Sequence, residues 1–207
     1  MHDIQTYQGE DGSEPYALWL AGLADQQARA RVLVRVQRMA AGNFGDCKPL
    51  DGGVWELRID WGPGYRVYYA MAGRRVVLLL VGGDKRRQRS DIASRAGVLA
   101  RLATKERNMK AARSHDATVV DMLRADPEFA AVYLAAALDE AEQPGGQSAL
   151  LAALRQIAEA QGMASVAERA GIPRESVYRA LSPRGNPTLK TLLALLHATG
   201  LRLGVSA

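Results

Sequence analysis

Residues 163–181 read MASVAERAGIPRESVYRAL, and this stretch decides the fold of the second half of the chain. In the first predicted helix Val166 and Ala167 face inward, and Ala167 is small enough to let a second helix approach closely. Gly171 permits a tight turn, and Val177 anchors the helix that follows. The spacing predicts a helix-turn-helix motif, with an ordinary helical hairpin as the alternative.

In a helix-turn-helix motif the second helix enters the major groove of DNA with its outward residues near the base edges. Asn186, in the loop that follows, is placed to meet a phosphate near a helix N-terminus. One short helix contacts too few bases for specificity, so we expect a homodimer on a palindromic operator. The predicted DNA-binding residues are Arg174, Glu175, Ser176, Tyr178, Arg179 and Asn186.

The residues around this motif predict a second domain that is entirely helical and covers residues 114–207. Asp126-Pro127 opens one helix, which ends before Pro144, and residues 148–161 form another. The helix-turn-helix region spans about residues 149–200. Residues 103–113 have no apolar stripe and are predicted to be a linker.

The first domain, residues 1–102, has the pattern of an α+β fold with two helices, an antiparallel sheet of three to four strands and a terminal helix. Apolar and polar residues alternate in residues 54–60, which predicts a half-buried strand with Glu56 and Arg58 on its polar face. Gly82-Gly83 is expected to break the last strand before a helix over residues 88–103. Residues 1–12 predict no element, and His2 is expected to lie in a frayed end.

Composition excludes several classes of protein. The chain has 207 residues, 48% of them hydrophobic, a single cysteine and no apolar run long enough to span a membrane. Disordered chains and disulfide scaffolds are therefore excluded, and we expect a soluble cytoplasmic protein. No pattern of metal ligands or of a nucleotide-binding loop is present, so the sequence predicts no metal and no cofactor.

The net charge of +5 is distributed in blocks. Residues 66–101 carry nine basic and two acidic side chains, residues 115–142 carry one basic and seven acidic, and residues 147–207 carry seven basic and three acidic. This order suggests two surfaces that face nucleic acid, with an acidic segment able to cover the first of them.

Four segments of the first half resemble toxins of the RelE/HigB superfamily, in the phage-derived branch of addiction module killer proteins. They are GNFGDCKPL (42–50), WELRI (55–59), GPGYRVYY (62–69) and LLLVGGDKRR (78–87). The second half resembles HigA-type antidotes through VYLAAAL (132–138), the helix-turn-helix and SPRGNP (182–187). Together they resemble a type II toxin–antitoxin pair fused in one chain, and Met109 stands where a free antidote could begin.

The resemblance implies a ribosome-associated mRNA endoribonuclease that needs no metal and is inhibited by an attached, DNA-binding antidote that regulates its own promoter. Such cleavage drives the 2′-hydroxyl against the adjacent phosphate and needs cations and a proton donor. His115 and His197 lie in the other half, which excludes a histidine pair. The predicted catalytic residues are Arg58, Arg66, Lys85, Arg86 and Asp91, with Lys48 and Arg87 as RNA contacts.

The segment Ser90-Asp91-Ile92-Ala93, after the last predicted strand, departs from the family. Some relatives place a tyrosine or histidines there as proton donor or stacking group, whereas this chain offers only Asp91. Asp91 or Tyr68 is the candidate substitute. Two alternatives therefore stay open. The chain could be a DNA-binding repressor whose toxin half has lost activity, or a gyrase-inhibiting toxin fused to its antidote. The arginine set disfavours the gyrase alternative, and we expect Arg66 and Arg86 to stabilise the transition state most.

Overall fold

The first half of the chain forms a mixed sheet with more strands than predicted. In a computed structural model that describes residues 1–9, 11–84 and 112–204, the sheet has six strands in the order β2-β3-β4-β5-β1-β6. Strand β1 runs parallel to β5, and the other pairs are antiparallel. The strands are β1 (Asp3–Tyr7), β2 (Cys47–Pro49), β3 (Val54–Ile59), β4 (Tyr65–Ala72), β5 (Val76–Asp84) and β6 (Ala112–Ser114).

The N-terminal segment is a strand inside the sheet, so the expectation of an unstructured start is wrong. Ile4 and Thr6 of β1 are buried between β5 and β6. The backbone N–H of His2 donates to the carbonyl of Ala40, and its ring meets Phe44 edge-on. The segment β1 has only five residues and one large aliphatic side chain, so its sequence shows too little periodicity to predict a strand. Its stability comes from its neighbours in the sheet.

Gly82 and Gly83 do not break the last predicted strand, which continues to Asp84. The indole of Trp19 lies directly against Gly82, where a Cβ atom would collide with the ring. Glycine here therefore allows a helix to approach the sheet closely.

Two helices cover one face of the sheet, α1 (Pro15–Ala21) and α2 (Gln26–Ala40). Asp25 caps α2 by accepting a hydrogen bond from the backbone N–H of Ala28. Helix α2 is buried nearly all round, because it packs on the sheet with one side and on helices of the second half with the other. A helix in that position needs apolar residues on more than one face.

The second half is helical, as predicted, with one further helix before Asp126. Its helices are α3 (His115–Ala125), α4 (Phe129–Asp139), α5 (Gly146–Ala160), α6 (Met163–Ala170), α7 (Arg174–Ala180) and α8 (Leu189–Ala198). Helices α4 and α5 pack on α2, α3 packs on α5 and β1, and α6 packs on α7 and α8. The chain thus has an α/β region followed by an all-helical region.

The two regions meet in one hydrophobic core and not across an open linker. Ala112 and Arg113, placed in the predicted linker, belong to β6 and pair with β1. The core continues from Leu57 and Val67 of the sheet through Leu33 of α2 to Phe129 and Tyr133 of α4. The predicted terminal helix, residues 103–111 of the predicted linker and Met109 lie outside the described residues.

Candidate functional site

Two of the predicted toxin arginines, Arg58 and Arg66, lie on the face of the sheet opposite α1 and α2, here called the far face. Leu57 and Val67 point into the core beneath α2, so strand alternation places Arg58 and Arg66 on the other side. The register of β3 and β4 sets Arg58 directly opposite Arg66. The same register sets Glu56 opposite Tyr68, and Lys48 of the neighbouring strand β2 opposite Glu56.

Glu56 is the member of this cluster that the sequence interpretation missed. It was expected to face solvent, yet only 2% of it is exposed. Its Oε1 accepts a hydrogen bond from Nε of Arg58 at 2.8 Å and lies 3.5 Å from Nε of Arg66. A carboxylate two residues before Arg58, on the same face of a strand, was the available signal, because strand alternation brings the two side chains together.

The two arginines differ in their access to solvent. The side chain of Arg58 is 35% exposed, and its Nη1 lies 3.9 Å from Oδ1 of Asp46. The hydrogen bond to Glu56 raises the pKa of the Arg58 guanidinium above its ordinary value. Arg66 is 13% exposed, and its Nη1 donates to the carbonyl of Tyr65. The Arg58 guanidinium therefore remains a cation at any physiological pH.

Of the other predicted toxin residues, Lys48 is exposed on the edge strand β2 and shares the far face. Tyr68, considered as a substitute proton donor, is buried on the same face. The remaining predicted toxin residues, Lys85, Arg86, Arg87 and Asp91, lie outside the described residues.

The acidic segment, residues 115–142, contacts arginines of α2. Among the described residues, Arg29 contacts Asp126 at 2.8 Å, Arg31 contacts Asp139 at 3.3 Å and Arg38 contacts Glu140 at 2.6 Å. The guanidinium of Arg29 also lies 4.0 Å from the centre of the Phe129 ring. The expectation that this segment neutralises the basic block at residues 66–101 is therefore not met at Arg66, whose carboxylate partner is Glu56.

Helices α6 and α7 are joined by a turn at Gly171, which has a φ of 64° that favours glycine. Val166, Ala167 and Val177 are buried where the helices meet, as the sequence predicted. The predicted DNA-binding residues of α7 face outward and are exposed, apart from the half-buried Ser176.

Local contacts order several of these outward side chains. The Arg174 guanidinium lies 5.6 Å from the centre of the Tyr178 ring, and Arg179 donates to the hydroxyl of Ser176. A hollow of about 330 Å³ separates α7 from the start of α8, with Arg179, Arg184 and Asn186 in its lining. Thr188 caps α8 by accepting from the backbone N–H of Thr191. An exposed cationic surface beside a capped helix N-terminus is suited to a phosphate backbone.

Within residues 1–9, 11–84 and 112–204, no cluster of histidine, cysteine, aspartate and glutamate could hold a metal ion. No helix in those ranges has both the length and the apolarity to cross a bilayer.

Two known families match separate parts of the chain. Residues 19–103 match the family described as "Phage derived protein Gp49-like", and residues 113–207 match the family described as "Probable addiction module antidote protein". With the α/β region and the all-helical region, these matches support a toxin–antitoxin fusion. The first part of the chain is similar to Gp49-like phage-derived proteins, and the second part is similar to addiction-module antidote proteins.

Two Haemophilus influenzae proteins, both described as uncharacterized, are similar to parts of the chain. One is 47% identical over 74 residues, which is 36% of this chain and 75% of the relative. The other is 41% identical over 68 residues, which is 33% of this chain and 70% of the relative. No solved structure matches the chain.

Proposed function

We propose that the Gp49-like domain is a metal-independent endoribonuclease of the RelE/HigB type that cleaves messenger RNA on the ribosome. The observation that carries this proposal is the pair Arg58 and Arg66, side by side on the far face over the buried Glu56. Two fixed guanidinium groups can stabilise the charge that develops when a 2′-hydroxyl attacks its phosphate. Lys48, at the same edge, extends the positive surface along the RNA backbone.

The attached antidote domain would inhibit this toxin through its bulk. Helices α4 and α5 lie beyond α2, on the side of the sheet away from Arg58 and Arg66. In this position they enlarge the toxin from the side away from these arginines. The fused chain is then excluded from the ribosome, while free RNA can still reach the partly exposed Arg58.

Inducible expression of residues 1–111 in bacteria, with pulse-labelling of new protein and new DNA, tests this proposal. We expect protein synthesis to stop first and Arg66→Ala to restore it, whereas the exposed control Arg74→Ala does not. The full chain should cause no arrest. A halt of DNA synthesis first would instead indicate a gyrase inhibitor, and no arrest from a soluble fragment would indicate a repressor with an inactive toxin half.

We further propose that the antidote domain uses α6 and α7 as a helix-turn-helix and represses its own promoter as a homodimer on a palindromic operator. The exposed residues Arg174, Glu175, Tyr178 and Arg179 support this, because they project from one short helix without covering contacts in the described chain. Asn186 and the capped start of α8 would meet the adjacent phosphates.

A gel-shift assay with DNA from upstream of the coding sequence tests the second proposal. We expect Arg174→Ala and Arg179→Ala each to weaken binding by about tenfold or more. Arg124→Ala, on α3, is the matched control and should bind like the parent. Binding that is unaffected by both changes in α7 would place the DNA on another surface.

A further inference from the structure

Glu56 is a buried carboxylate at the centre of the arginine pair. In an antiparallel ladder, like charges directly opposite each other repel, and Arg58 and Arg66 occupy such positions. The geometry therefore needs a negative group close to both. Glu56 supplies it, because strand alternation brings its side chain to the same face two residues before Arg58.

A single carboxylate oxygen serves both arginines. Oε1 of Glu56 is 2.8 Å from Nε of Arg58 and 3.5 Å from Nε of Arg66. Both guanidinium groups thus turn the same edge toward one atom. Since a buried carboxylate without partners is costly, these contacts restrict side chains that would otherwise sample many rotamers.

The cluster keeps a positive balance, and Arg58 is partly exposed. Among the described residues, the three cations Arg58, Arg66 and Lys48 outnumber the two carboxylates of Glu56 and Asp46, so a phosphodiester is still attracted. Arg58 contacts Glu56 through Nε, while its Nη1 lies near the exposed Asp46, 3.9 Å away. A guanidinium can bind a carboxylate along one edge and a phosphate along the other.

We propose that Glu56 is a positioning residue, which holds Arg58 and Arg66 in the arrangement that a scissile RNA phosphodiester requires and does not itself contact the RNA. The inference rests on the proposed endoribonuclease function. Glu56→Gln keeps the size of the side chain and removes its charge. The site then attracts a phosphodiester more strongly but loses the fixed orientation of its cations. A residue needed only for folding would not change binding and cleavage in opposite directions.

The test uses the full chain labelled with ¹⁵N and follows the Nε–H signals of Arg58 and Arg66, assigned through Arg58→Lys and Arg66→Lys. The probe is a 2′-deoxy dinucleotide monophosphate, which binds but cannot be cleaved. In the parent we expect both signals to be protected from exchange and to shift together during titration. In Glu56→Gln the protection should be lost while the dinucleotide still binds at least as tightly.

Cleavage of an end-labelled oligoribonucleotide under single-turnover conditions is measured on the same proteins. At saturating protein, Glu56→Gln should cleave more slowly by on the order of tenfold to a hundredfold. Glu142→Gln, at an exposed glutamate, is the matched control for the lost charge and should behave like the parent. If Glu56→Gln fails to fold, Glu56→Asp keeps the charge but shortens its reach, and should bind normally and cleave at an intermediate rate.

The outcomes separate the two proposals. A Glu56→Gln protein that cleaves as fast as the parent overturns the positioning role. Equal losses of dinucleotide binding and cleavage assign Glu56 to folding alone and also overturn it. A parent protein that neither binds the dinucleotide at these arginines nor cleaves RNA, together with a fragment 1–111 that causes no arrest of protein synthesis, removes the proposed endoribonuclease, and that failure appears without any change at Glu56.

Discussion

The imidazole of His115 lies between the two regions of the chain, 5.7 Å from the ring of Tyr16 between centroids. The side chain is fully buried, and neither ring nitrogen has a hydrogen-bond partner among the described residues. Burial lowers the pKa of His115 well below its usual range, although the neighbouring Asp116 opposes the shift. The neutral imidazole is therefore the form that the folded chain holds.

We expect the chain to lose stability as the pH falls below about 6.5, the ordinary pKa of histidine. The unfolded chain binds this proton more readily than the folded one, because the pKa of His115 is higher in the unfolded chain. The contribution of His115 to the free energy of unfolding is therefore complete above that pH and declines below it. The slope from this group is at most about 1.4 kcal/mol per pH unit. Urea denaturation at pH 7.5 and 5.5 measures the effect.

His115→Leu should remove most of that pH dependence and be about as stable as the parent at pH 7.5, because it also removes two unpartnered polar atoms. The same change at the exposed His197 is the control and should leave the pH dependence in place. An unchanged pH dependence in His115→Leu would assign it to other groups.

Gly82 lies where the Trp19 indole of α1 packs against the sheet. Gly82→Ala should destabilise the chain by about 1–3 kcal/mol, because the new methyl group meets the Trp19 indole. Gly83→Ala is a close control, since it lies next to Gly82 in the same strand and a Cβ there has nothing within 4 Å. Thermal or urea unfolding compares the two, and equal effects would contradict the packing explanation.

Among the elements, α2 holds the two regions together. Its arginines alternate with apolar residues, and Arg29, Arg31 and Arg38 each contact an acidic residue of the second half. Asp126, the partner of Arg29, also accepts a hydrogen bond from the backbone N–H of Phe129 at the start of α4. Asp126 thus contacts both α2 and the first residue of α4.

Arg29→Ala should lower the free energy of unfolding by about 1–2 kcal/mol, since it removes an ion pair and a cation–π contact at a side chain that is 11% exposed. The half-exposed position of Asp126 keeps the loss at this modest size. Urea unfolding of the full chain gives the value. Arg74→Ala, an exposed arginine in a turn, is the control, and equal stability of both variants would show that the α2 contact contributes nothing measurable.

For the whole molecule, the shared core predicts that both regions unfold together. The three tryptophans, Trp19, Trp55 and Trp61, report on the first region, and amide exchange in α5 reports on the second. We expect the two probes to lose structure at the same urea concentration, because α2 and β1 pack against both regions in one core. Protected α5 amides at a urea concentration where tryptophan fluorescence is already that of the unfolded chain would contradict this prediction.

Much of this molecule could be predicted from local patterns. The positions of α2, β3 and α4 to α8 follow from caps, turns and periodicity, and the outward residues of α7 follow from its spacing. The clustering of Arg58 with Arg66 was also predictable, since alternation along two strands joined by a tight turn places them on one face. By contrast, β1, β2 and β6 were missed, because each is too short to carry a periodic signal and is stabilised by its partners in the sheet.

The sequence by itself therefore determined the two regions, the order of most elements and the chemical types of the candidate residues, because these depend on neighbours close in the chain. The tertiary structure alone decided that Glu56 is buried between two arginines, that the acidic segment pairs with α2 and that the two regions share a core. Those features depend on contacts between residues far apart in sequence, whose pairing the local pattern does not specify.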